Sequence, residues 1–176
     1  MESNIGIKQI DITDLRTDAI VNAANSQLRQ GGGVCGAIFR KAGATKLANA
    51  CNDIGHCKTG NAVITPGFNL PAKYVIHAVG PIWQGGNSNE SELLYNAYKQ
   101  SLILAKENDC CSIAFPLISS GIYGYPKEQA WQIAIQSCSD FIYDNPDYPI
   151  SIIFAVLSDE SKELGEKAIN ETGLKK

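Results

Sequence analysis

The run from Ala19 to Gly43, AIVNAANSQLRQGGGVCGAIFRKAG, limits what this chain can fold into more than any other stretch. It opens on Ala19-Ile20-Val21, short and β-branched enough for a buried strand, then breaks into polar Asn22 and Asn25. Three consecutive glycines, Gly31 to Gly33, precede Val34, Ala37 and Ile38 at helical spacing, with Phe39, a basic Arg40-Lys41 end and a stop at Gly43. Strand, glycine loop and helix in that order cradle phosphate. Glycine lets the backbone approach an anion with no Cβ in the way, and a helix start adds unpaired N–H groups and the positive end of its dipole. No Gly-Lys-Ser/Thr follows, which excludes a P-loop, and the stretch is not read as a dinucleotide fingerprint. By itself the triplet also reads as a flexible surface turn.

A chain of 176 residues suits one domain, here taken as 1–176, and buries about 70% of the surface that its unfolded chain exposes. A formal net charge of −3 rules out a broad basic surface, so extended nucleic-acid binding is not expected. A small anion held by backbone amides remains compatible with that charge. The six cysteines form no C-x-x-C, and Cys51, Cys57 and His56 make the nearest approach to a metal cluster; no metal and no cofactor are expected. Met1-Glu2-Ser3-Asn4 has neither a charged nor an apolar leader region, and no apolar run approaches ~20 residues. The expectation is a cytoplasmic protein with reduced thiols, away from membranes.

Along the chain, strands are expected at Ile5 to Ile10, Ala19 to Val21, Asn61 to Pro66, Lys73 to Val79, Ser112 to Pro116 and Ile150 to Leu157. Helices are expected from Val34 to Gly43, Thr45 to Asp53, Ser91 to Glu107 and onward from Lys127, with a last one capped by Ser158-Asp159-Glu160 and fraying near Gly173. This alternation gives an α/β sandwich with a mostly parallel sheet and helices on both faces. His77, inside an apolar strand, reads as a core residue with a satisfied ring.

In such folds ligands bind beyond the carboxyl ends of the strands. Three strand-end segments stand out: Asp11-Ile12, Asn22 to Val34, and Ser119 to Gly124. Asp11 either caps the following turn or accepts a hydrogen bond from a ligand's amino group. Two glycine-bearing loops with hydroxyl and amide donors imply two anionic groups or one diphosphate, and Tyr123 between glycines offers a flat face for a sugar ring. Two independent turns are the alternative.

Asp11-Ile12-Thr13, VNAANSQLRQGGGVCGAIFRKAG, Thr59 to Thr65, VIHAVGPIW at Val75 to Trp83 and FPLISSGIYGYP at Phe115 to Pro126 together resemble a macro domain, most closely the bacterial O-acetyl-ADP-ribose deacetylase type of the MacroD-like branch. The resemblance covers nearly the whole chain in one register. It implies a three-layer α/β/α sandwich with a mixed, mostly parallel central sheet, and an ADP-ribose site. Asp11 would hold the adenine amino group beside the Ile12 amide, and Asn25 the distal ribose. Asn22, Gly32, Gly33, Val34 and Cys35 would belong to the loop over that ribose and the diphosphate. Ser119, Ser120, Gly121, Ile122, Tyr123 and Gly124 would wrap the diphosphate from the opposite side.

The departures bear on activity. Where the branch has an aspartate after Gly-Gly-Gly-Val, this chain has Cys35; where it usually has histidine four residues later, it has Phe39. A thiol beside a diphosphate is a poor base, because like charge disfavours its ionised form. Leu157-Ser158 stands where many relatives place an aromatic against adenine, and Ile10 where a glycine commonly precedes the aspartate. Some viral macro domains that hydrolyse ADP-ribosyl esters also lack the aspartate. The resemblance therefore implies a monomeric, slow hydrolase of O-acetyl-ADP-ribose or of mono-ADP-ribosylated proteins, with Asn25 and Cys35 at the reaction site. A non-catalytic ADP-ribose reader is the other expectation.

Overall fold

The computed structural model describes residues 2–172. In chain order it forms β1 (Asn4–Gln9), a 3-10 turn (Ile12–Asp14), β2 (Ala19–Ala23), α1 (Gly33–Ala42), α2 (Ala44–Ile54), β3 (Ala62–Pro66), β4 (Tyr74–Ala78), α3 (Glu90–Glu107), β5 (Ser112–Phe115), α4 (Lys127–Asp144), β6 (Ser151–Val156) and α5 (Asp159–Glu171). The expected fraying near Gly173 lies outside the described residues.

The strands pair in the order β1-β6-β5-β2-β4-β3. Every neighbouring pair is parallel except β3 with β4, which the turn-rich Gly67 to Pro71 connects directly. Successive strand residues point to opposite faces, and both faces are covered. Val21, Ile76, Phe115 and Phe154 pack beneath α3, α4 and α5, while Ile20, Val75 and Ala114 pack beneath α1 and α2. The result is a mixed, mostly parallel sheet between two helical layers.

The apolar stripes fall largely where the helical period puts them. On α3, Leu94, Ala97, Tyr98, Ser101, Leu102 and Ala105 are all buried, and on α4 Trp131 meets Phe154 with ring centroids 5.1 Å apart. Ile142 is only half-buried. The spacing of Val34, Ala37 and Ile38 misplaces the buried face of α1, which runs instead through Cys35, Ile38, Phe39 and Ala42. That set also satisfies i, i+3, i+4, i+7, and Val34 is only partly buried against the edge of this cluster, where it lines the cleft.

Two local devices shape the end of the sheet where the strands finish. The Glu90 carboxylate accepts hydrogen bonds from the backbone N–H groups of Gln84, Gly86 and Ser88, which folds the glycine- and asparagine-rich segment onto the start of α3. Trp83 N donates to Tyr123 O at 2.8 Å and the Trp83 ring packs on Tyr125 at 4.7 Å, tying that segment to the loop after β5.

Candidate functional site

A cleft of about 580 Å³ opens over the carboxyl ends of β2, β5 and β6. One wall is the glycine loop from Gly31 to Cys35, the opposite wall is Ser119 to Tyr123, and Ala155 to Ser158 closes one side. The structure therefore brings Asn25, Gly32, Gly33, Val34 and Cys35 together with Ser119, Ser120, Gly121, Ile122 and Tyr123, as two loops of one site and not as independent turns.

Four expected residues do not line it: Asp11, Ile12, Asn22 and Gly124. Asp11 caps the 3-10 turn, its Oδ1 accepting from Thr13 N at 2.9 Å and from Thr13 Oγ1 at 2.7 Å; these hydrogen bonds hold its carboxyl below the ordinary aspartate value. Ile10 N donates to Val156 O, which seats the start of this turn beside the Val156 wall. Ile12 is buried, and Asn22 lies behind the glycine loop at 1% exposure. Gly124 takes a left-handed φ of +73° and returns the loop by donating to Gly121 O.

The cleft is rich in unused donors. The first-turn N–H groups of α1, on Gly33, Val34 and Cys35, have no intrahelical acceptor, and its N-cap Gly32 carries no side chain to cap them. Across the cleft the N–H groups of Gly121, Ile122 and Tyr123 likewise donate to none of the described residues. The Ser119 hydroxyl is buried without a partner among them, on a residue held at a left-handed φ of +68°. Strained backbone of this kind is found at binding loops. Six open amides on two facing loops, with the dipole of a ten-residue helix behind one of them, suit an anion with more than one phosphate. Among the described residues, Lys127 is the only charged one lining the cleft, 3.5 Å from Glu160, and none of them brings a carboxylate or imidazole to it.

Asn25 and Cys35 hold the shape of the glycine loop. Asn25 Oδ1 accepts from Arg29 N at 3.0 Å and its Nδ2 donates to Arg29 O at 2.9 Å. Cys35 Sγ accepts from Gly31 N at 3.4 Å and lies 3.8 Å from Arg29 O. Gly36 completes the loop, since a Cβ there would come within 2.7 Å of Gly31 O.

Leu157-Ser158, which the resemblance sets against adenine, does line the cleft, while sequence reasoning passes over Gly80, Lys127 and Ser161. It also passes over a signal in the loop itself: Gly31, Gly33 and Gly36 do stand at G-x-G-x-x-G spacing. Ser158 caps α5 as expected, accepting from Ser161 N at 3.2 Å, and both serines border the cleft.

Residues 21–134 match the family described as Macro domain. A macro domain-containing protein of Chlorobaculum tepidum is 52% identical over 171 residues, 96% of this chain and 98% of the relative. An O-acetyl-ADP-ribose deacetylase of Salmonella newport is 49% identical over 177 residues, 98% of each. Among solved structures, the Oceanobacillus iheyensis macrodomain with ADP superposes with a TM-score of 0.89 at 38% identity, over 94% of this chain and 90% of that one. The Trypanosoma brucei macrodomain in complex with ADP-ribose superposes at 0.87 and 37%, over 94% of this chain and 68% of that one. The overall fold is thus shared with solved macrodomains, and this chain belongs to the macro domain family.

Proposed function

We propose that this chain binds ADP-ribose and hydrolyses ADP-ribosyl esters, by deacetylating O-acetyl-ADP-ribose, by releasing mono-ADP-ribose from acidic side chains of proteins, or both. The observation that carries the reading is the set of six open amides, on Gly33, Val34, Cys35, Gly121, Ile122 and Tyr123, facing one cleft from two loops. A diphosphate between those loops leaves its distal ribose near Asn25 and its nucleoside running toward Val156 and Asp11. The relatives named O-acetyl-ADP-ribose deacetylase and the ADP-ribose-bound structural neighbour support the same ligand.

Hydrolysis adds water across the ester: the acyl group leaves as the acid and the ribose oxygen takes the proton. With no carboxylate or imidazole among the described residues lining the cleft, none of their side chains serves as an ordinary general base. The ligand's own phosphate and Asn25 position the water, and the loop amides stabilise charge at the leaving bond. Absence of a general base costs about 10²–10⁴-fold, so turnover is slow. The same absence favours the second reading, a non-catalytic ADP-ribose reader.

Calorimetric titration with ADP-ribose, paired with release of ADP-ribose from a mono-ADP-ribosylated protein and of acetate from O-acetyl-ADP-ribose over hours, separates the two. Binding with release supports the hydrolase. Binding without release leaves the reader, and no binding removes both.

A further inference from the structure

Behind the glycine loop a line of polar contacts crosses the sheet. Parallel pairing of β2 with β4 sets Asn22 beside His77, and both are buried. Asn22 Nδ2 lies 3.1 Å from His77 Nδ1 and 3.6 Å from Cys35 Sγ. His77 Nε2 lies 3.0 Å from Thr65 Oγ1, whose proton goes to Pro66 O at 3.2 Å, and 3.8 Å from Cys51 Sγ. These partners assign the protons. Asn22 gives its two N–H groups to His77 Nδ1 and Cys35 Sγ, and a neutral His77 gives its Nε2 proton to Thr65 Oγ1. Turning the Asn22 amide over would strand its N–H groups in place of the single carbonyl oxygen that now has no partner among the described residues. Burial agrees with a neutral ring, lowering its pKa to about 4.

From Cys35 the line runs on to the cleft. The thiol faces the Arg29 carbonyl and accepts from Gly31 N, and the Arg29 peptide is clasped on both sides by the Asn25 carboxamide. A histidine in an apolar layer is a costly way to fill space, because its ring nitrogens must find partners there. Here each partner is one step nearer the cleft or anchors the ring from the edge of the sheet.

We propose that His77 is a positioning residue for the ligand: through Asn22 and Cys35 it fixes the Arg29 peptide, and so the direction in which Asn25 meets the ribose beyond the diphosphate. The proposal rests on the ADP-ribose reading above. It sets His77 apart from a residue that only stabilises the fold, because the line ends at one part of the ligand. The distal ribose depends on it through Asn25, while the diphosphate is held by backbone amides of both loops and the adenosine lies toward the Val156 side.

The experiment is a titration of ADP-ribose and of ADP against the wild-type chain, His77→Leu and His77→Gln. His77→Leu is expected to weaken ADP-ribose about tenfold while ADP stays within about twofold, and His77→Gln, which keeps an acceptor and a donor, to recover most of the loss. Equal losses for both ligands, or no loss, overturn the proposal. Where His77→Leu does not fold, Cys35→Ala at the cleft surface must show the same selective loss and Cys35→Ser must restore it; any other pattern overturns it. A wild-type chain that binds neither ligand overturns the ADP-ribose reading itself, and this inference with it.

Discussion

Gly80 lies so close beneath Ser119 that a Cβ on Gly80 would sit 2.2 Å from Ser119 Oγ, and 2.5 Å from Ile118 Cγ2. Gly80 follows β4 and Ser119 follows β5, so this contact sets how near the facing loop comes to the rest of the cleft. Gly80→Ala must push Ser119 outward, carrying Ser120 to Tyr123 with it. Overpacking of this kind costs about 1–3 kcal/mol, and ADP-ribose affinity is expected to fall roughly tenfold or more. Ser119→Ala in the same chain removes the nearer clash and is expected to restore part of the affinity, read by calorimetry. Equal affinity for Gly80→Ala and wild type would mean that the spacing of the loop does not govern binding.

Gly121 differs from Gly80, because a Cβ there meets nothing within 4 Å. Gly121→Glu is therefore expected to fold with an unchanged melting temperature, yet to place a carboxylate among the amides proposed to hold the diphosphate. Binding of ADP-ribose should be lost. Micromolar or tighter binding by the folded variant would count against this loop as the phosphate site.

What the sequence reveals and conceals follows from how local each signal is. The strand, glycine loop and helix from Ala19 to Gly43 are legible because period and glycine content are properties of adjacent residues. The convergence of that loop with Ser119 to Tyr123 is legible because parallel strands deliver their ends to one side of the sheet. Lys127 and Ser161 are not, since their place at the cleft depends on where α4 and α5 start beside it, which no local pattern states, while Leu157-Ser158 is legible only through the family resemblance. Gly80 reads as a strand terminator before Pro81, and the contact that requires it lies 39 residues away. His77 reads correctly as a satisfied core residue, but its partner Asn22, assigned to the ligand, is visible as such only from the register of β2 against β4.

The Cys35 thiol both accepts from Gly31 N and faces Arg29 O. A carboxylate in its place keeps the acceptor and adds a group able to orient water, while losing the weak donor to Arg29. Cys35→Asp is expected to raise the rate of ADP-ribose release while leaving ADP-ribose affinity within a few-fold. Unchanged turnover would mean that the water is oriented elsewhere, by the ligand's phosphate and Asn25.

Two buried groups set how stability responds to acid. His77 binds its proton with a pKa of about 4, lowered by burial, against 6.5 when unfolded. The unfolded chain therefore takes up a proton that the native chain refuses, and stability present above pH 6.5 falls as pH drops toward 4, by roughly 3 kcal/mol in all. Glu90 acts lower on the scale. Backbone hydrogen bonds from Gln84, Gly86 and Ser88 hold its pKa at about 2 against 4.5, so its contribution is present above pH 4.5 and is lost as pH falls toward 2. Chemical denaturation from pH 7 to pH 3 is expected to show stability declining in both windows. His77→Gln should flatten the upper window while leaving the lower, and Glu90→Gln should do the reverse. A wild-type profile that stays level between pH 6.5 and 4 would show that His77 takes up its proton in the folded chain, contrary to the neutral ring that its partners require.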